Sequence, residues 1–230
     1  VAHETGPGST HRPRLHPGGP TPTRFPLPLR NALAALAIAG LDEPAAAAAL
    51  AWLAAPDVAP PADAGARLAA EHLIDLGGAT LLAVHEPWAE AVGEHARRGL
   101  SARAAFAAEP AGPPVGSVAG AVVRAAALWD EGLFFEVHEV LEAEWKTARG
   151  DVRQALQGLI QIGVAFHHLA HGNLRGAQSL LVEGRARLAS VPAETLPVVD
   201  VPRLLAATEP VADALSARGA PAAPPRLPRR

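Results

Sequence analysis

His138 and Glu142 are the two side chains whose types and spacing most directly allow chemistry. Residues four apart are neighbours on a helix surface, so this pair can ligate one ion or pass one proton. Both fall in the run Phe134-Phe-Glu-Val-His-Glu-Val-Leu-Glu-Ala-Glu-Trp145. At about 100° per residue, Val137, Leu141, Phe134, Trp145, His138, Glu142 and Phe135 share one arc, while Glu136, Glu139, Ala143 and Glu144 fall outside it. The pattern predicts a helix whose apolar face carries a histidine and a carboxylate, where neither belongs without a partner. Glu136 and Glu139 read as a solvated face that would make the mouth of any site acidic and attractive to cations.

The following segment offers partners. Arg153, Gln154, Gln157, Gln161, Val164 and His168 form one helical stripe, opposite Leu156, Leu159, Ile162, Phe166 and Leu169. An antiparallel hairpin around Gly150 would turn this stripe toward His138 and Glu142. Arg153 would then lie near Trp145 and Glu142, and His168 near Phe134 and His138. Three readings compete. His138, Glu142 and His168 would bind a divalent transition metal such as zinc, with Gln157 or Gln161 behind them. Alternatively Glu142 is a general acid or base, with His138 relaying protons and no metal. In the third, the residues are a satisfied polar network that fixes helix packing.

The elements that must position these residues are helical. Breakers between Glu109 and Pro114 divide the chain into a region at 29–108 and a bundle at 115–217. The first reads as helices near 30–40, 44–55, 63–76 and 87–107, with Thr80–Val84 as a possible short strand and a winged-helix arrangement as the alternative. Its His72, His85 and His95 read as surface or capping residues. In the second, Ser117 caps a helix to Asp130, Gly132 interrupts, and the motif helix spans 133–148 and stops at Gly150. Asp151 opens a helix to His171, and Asn173 caps another over 174–190. A last helix lies near 202–216. Residues 1–28, with His3, His11 and His16, read as a disordered arm, and 218–230 as a disordered tail. Arg30 and the apolar stretch to Gly40 read as a first amphipathic helix, not a signal peptide.

Composition narrows the function classes. The 230 residues carry a net charge of −3 with 4% aromatics, which disfavours nucleic acid as a partner. With no cysteine, thiolate metal sites and cysteine nucleophiles are excluded. No apolar run is long enough to predict a membrane span or a membrane partner, and a cytoplasmic location is the expectation.

The run Leu128-Trp-Asp-Glu-Gly-Leu-Phe-Phe-Glu-Val-His-Glu-Val-Leu-Glu-Ala-Glu-Trp145 closely resembles the signature of the domain of unknown function 309 family. So do Arg153-Gln-Ala-Leu-Gln-Gly-Leu-Ile-Gln-Ile-Gly-Val-Ala-Phe-His-His168 and Gly172-Asn-Leu-Arg-Gly-Ala177. The resemblance spans about 118–190 and implies a compact all-α bundle from a mainly bacterial group with no established activity. The family-type positions here are Glu136, His138, Glu139, Glu142, Trp145, Arg153, Gln157, Gln161, His168, Gly172 and Asn173. The expectation is therefore an all-α protein, a helical bundle with a helical N-terminal accessory block. Its function is metal binding or hydrolysis of an unassigned substrate. The alternative is a structural or protein-interaction module; a small-molecule or protein partner is not specified.

Overall fold

The computed structural model describes residues 24–75, 80–109 and 116–230. The arm expected over 1–28 lies almost wholly outside them. Among the described residues the fold is all-α, as expected. The first block comprises α1 (Leu27–Ala39), α2 (Pro44–Ala54), α3 (Ala62–Ala70) and α4 (Ala89–Ala107). The second comprises α5 (Val118–Asp130), α6 (Phe134–Thr147), α7 (Gly150–Ala170), α8 (Leu174–Ala189) and α9 (Val201–Ser216). None of the described helices is long and apolar enough to cross a membrane.

Prolines and side-chain caps start several of these helices. Pro44 occupies the first turn of α2, where its missing N–H costs nothing. Ser117 accepts from the Gly120 amide, Asn173 from Gly176 and Asp200 from Arg203, so α5, α8 and α9 begin on capped turns. Gly132 and Gly172 take φ of +71° at the α5–α6 and α7–α8 corners, a conformation that favours glycine.

Three local expectations need correction. The helix expected over 63–76 stops at Ala70, because His72 adopts a left-handed φ of +56° and turns Leu73 and Ile74 into the core. The expected strand is only an isolated bridge, Ile74 to Leu81, followed by a 3-10 turn at Ala83–Trp88. Asp151 does not cap α7: the helix starts at Gly150 after an extended Arg149.

Two hydrophobic clusters form the core. One gathers Leu33, Leu36, Leu50, Leu68 and Leu73 of the first block. The other packs Trp129, Phe134, Leu141, Leu156 and Phe166 of the bundle, and Ala37, Leu41 and Ala102 of the first block join it. Arg124 of α5 pairs with Asp42 and donates to the Ile38 carbonyl, so the two blocks share polar as well as apolar contacts.

The C-terminal segment is not the disordered tail expected over 218–230. Trp129 Nε1 donates to the Pro225 carbonyl at 2.8 Å, and the Leu227 amide donates to Asp130 at 2.9 Å. Leu227 is buried, and Arg229 pairs with both Glu109 and Asp130. One leucine and one arginine anchor a stretch whose proline-rich composition shows no helical or strand period.

Candidate functional site

α6 packs against α5 and α7 and is also approached by α1 of the first block. That third neighbour rotates its buried face away from the arc expected from sequence. Phe134, Glu136, Val137, Val140 and Leu141 are buried, whereas Phe135, His138 and Glu142 lie at the margin. Glu136 was expected on the solvated face and is only 2% exposed, because the first block covers that side of the helix.

His95 of α4, expected at the surface, is 13% exposed and reaches Glu136. Its Nε2 stands 3.1 Å from Glu136 Oε1. The two atoms are not aligned for a hydrogen bond, and among the described residues neither has another hydrogen-bonding partner. Phe25 packs edge-on against the His95 ring, with centroids 5.9 Å apart. The pair is therefore held by packing and proximity, and both polar atoms keep hydrogen-bonding capacity.

A cleft opens beside this pair, between the first block and the ends of α6 and α7. Arg24, Arg30 and Arg98 line one wall; Phe135, Glu136 and His167 belong to the opposite one. The Arg30 guanidinium lies 3.9 Å from the centre of the Phe135 ring, a cation–π arrangement. The cleft continues as a space of about 370 Å³ bordered by His138, His168, His171 and Asn173. Its rim is rich in arginine, so the acidic mouth expected from Glu136 and Glu139 is not present. Glu136 is instead buried against His95, and Glu139 is exposed beyond the cleft.

His167 sits where these spaces meet. Burial above all, together with the neighbouring His171 and partly offset by Glu136, lowers its pKa from 6.5 to about 4. It is a neutral imidazole at pH 7, able to donate or accept. The His171 Nδ1–H donates to the His167 carbonyl at 2.8 Å, which sets the tautomer of His171. Asn173 donates to His168 Nδ1 at 3.1 Å while its Oδ1 caps α8, so one side chain fixes both a helix start and a ring.

The residues expected to form one metal site are distributed differently. His138, Glu139 and Glu142 bring ligand atoms within 4.8 Å of one another. His168 borders the same cleft as His138 but is bonded to Asn173. Glu142 is 32% exposed and pairs with Lys146 at 3.1 Å, while His138 pairs with the adjacent Glu139. The polar stripe of α7 faces α8 instead of α6. Gln161 donates to Glu183 at 2.9 Å and Arg187 donates to Gln154 at 2.8 Å, with half-buried Gln157 on the same stripe. Gly158 and Gly184 let these helices approach closely: a Cβ on Gly158 would stand 2.9 Å from the Gly184 carbonyl. The start of the stripe turns to α6, where Arg153 donates to the Trp145 carbonyl at 2.6 Å and stacks on its ring.

Sequence reasoning missed Arg24, Arg30, His95, Arg98, His167 and His171. The i,i+4 spacing of His167 and His171 and the i,i+3 spacing of His95 and Arg98 were readable signals. Nothing local linked the two pairs.

The fold and site define a two-block helical protein with a histidine- and arginine-lined cleft at the junction. Residues 122–180 match the family model described as Domain of unknown function (DUF309). The match runs from within α5 into α8 and contains Glu136, His138, Glu142 and His167; Arg24, Arg30, His95 and Arg98 lie before it. No curated protein and no solved structure matches the chain.

Proposed function

We propose that the cleft is a binding and acid–base site for a small anionic molecule. Arg30, Arg24 and Arg98 attract its charge, and the Glu136–His95 pair exchanges a proton with the ligand or with a water beside it. The observation that carries this reading is the pair itself: a carboxylate 2% exposed, 3.1 Å from an imidazole nitrogen, with no aligned hydrogen bond between them. Buried polar atoms usually find partners, and a mutually unsatisfied pair beside a cleft is suited to a third group. Guanidinium groups match phosphate and carboxylate geometry, so the anion belongs at the arginine wall, with the pair beyond it.

Calorimetry with inorganic phosphate tests the reading. Binding is expected to carry proton uptake onto the pair, seen as an enthalpy that varies with buffer ionisation. Arg30→Ala weakens binding more than tenfold without lowering the melting temperature. Glu136→Gln abolishes the proton uptake and, by removing a like charge, leaves binding equal or tighter. The packing-network alternative makes the opposite forecast: no phosphate binding, and a loss of about 3 kcal/mol for Glu136→Gln because a buried partner is stranded.

The close approach of His138, Glu139 and Glu142 supports a second reading, a divalent metal held at the outer face of α6. Imidazole and carboxylate ligands suit zinc. Zinc titration of protein purified without chelator checks it. One equivalent, lost in His138→Ala, is the supporting result, and less than a tenth of an equivalent removes the reading.

A further inference from the structure

We infer that the anion bound in the cleft is the head of an amphiphile whose apolar tail lies in an adjoining groove under the C-terminal segment. This rests on the cleft reading above and extends it to a class of ligand. The groove has a volume of about 470 Å³, within the range of small-molecule sites. Trp129, Phe134, Phe166 and Leu169 contribute its apolar wall, Leu174 stands at its edge, and Pro221–Pro224 cross it.

Head site and groove are continuous. Arg98, Gly132, Phe134 and Ala170 border both spaces. At the junction the Arg98 guanidinium lies close over Gly132, where an added Cβ would stand 3.4 Å from its Nη2. Arg98 is also 3.8 Å from Glu94, a long and exposed pairing that leaves its fork available. A cation therefore marks the point where polar wall gives way to apolar groove, which is the charge order of an anionic head followed by a hydrocarbon tail. Leu174 is 48% exposed, so apolar surface at the groove's edge faces water. A tail that covers it gains the free energy of removing that surface from solvent.

The segment over the groove can admit such a tail. Among the described residues, Ala220–Arg226 make no backbone-to-backbone hydrogen bond. The segment is held from its far side, by Trp129 to the Pro225 carbonyl and by Leu227 and Arg229 to Asp130. Residues 221–224 can lift without breaking a ladder and close again over the chain of the ligand.

Calorimetry on the full chain with inorganic phosphate and with ethyl, hexyl and decyl phosphate, each below its micelle concentration, tests the inference. Affinity is expected to rise roughly two- to fourfold per methylene over the first carbons. Leu174→Gln should flatten that rise and leave inorganic phosphate unaffected, while Arg30→Ala should weaken every member of the series alike. Intermolecular NOEs from the decyl chain to the Trp129 indole and the Leu174 methyls would place the tail. If inorganic phosphate binds but affinity is independent of chain length, the tail inference falls and the cleft reading stands. If no member of the series binds, both fall. Sedimentation of the protein with phosphatidate vesicles, without binding of decyl phosphate, would overturn the soluble amphiphile in favour of a membrane surface.

Discussion

Glu136 and Glu142 stand fewer than two turns apart on α6, each with a histidine nearby, and their surroundings differ in every respect that matters chemically. The outer group draws its partners from its own helix: His138 with Glu139, Glu142 with Lys146. All are partly exposed, water can satisfy each of them, and ion pairs of this kind contribute at most about 1 kcal/mol. The inner carboxylate is buried, and its partner comes from α4 across the junction between the blocks. Spacing along one helix therefore identifies the group that solvent can equally well satisfy. The group that depends on the fold for its partner leaves no spacing to read.

The largest test of this contrast compares two adjacent aromatics. Phe134 is buried between Trp129 and Phe166, with ring centroids 5.5 and 5.4 Å away, while half-buried Phe135 faces the cleft under Arg30. In urea unfolding, Phe134→Ala should cost about 3–5 kcal/mol, and Phe135→Ala about 1 kcal/mol or less, mostly from the lost cation–π contact. Equal costs would mean that α6 has no separate site face.

An intermediate effect comes from His167. Its pKa, about 4 in the fold against 6.5 in the unfolded chain, means that the unfolded state binds the extra proton first as the pH falls. The contribution to stability is complete above about pH 6.5, declines between 6.5 and 4, and is exhausted below. His167→Gln should flatten the fall in unfolding free energy over that window. Ring NMR should show the His167 midpoint near 4, and lower still in Glu136→Gln, since Glu136 raises it. A midpoint near 6.5 would show that the cleft is wetter than its geometry indicates.

The smallest effect sharpens the comparison from the other side. Glu142→Ala should change stability by no more than about 0.5 kcal/mol, the usual span for surface substitutions, and leave phosphate binding unchanged. A loss of several kcal/mol would move the important carboxylate back to the position first suspected.

Much of the fold was legible because helical period, proline at first turns and capping residues are local signals. Ser117 and Asn173 cap the helices expected of them, and Gly132 and Gly172 turn the corners. The site was legible only on one side. The arc drawn on α6 assumed that its aromatics define the buried face, yet a helix with neighbours on several sides buries whatever each neighbour covers. The first block covers Glu136, and nothing between Phe134 and Trp145 encodes that. The α7 stripe was identified correctly as polar, but the glycines at 158 and 184 assign it to α8, and their pairing is a tertiary fact. The C-terminal segment escaped notice because two anchoring side chains among prolines and alanines produce no period.

One wall of the cleft arises before residue 122 and the other within the family segment. On the proposed reading, the arginines that would hold the anion and the carboxylate beside them thus come from separate stretches of the chain. Recombination that replaced the preceding stretch would keep the buried carboxylate and the neutral imidazole while exchanging the cations of the arginine wall. On that reading, the ligand would change in this way without the alteration of a single residue of α6.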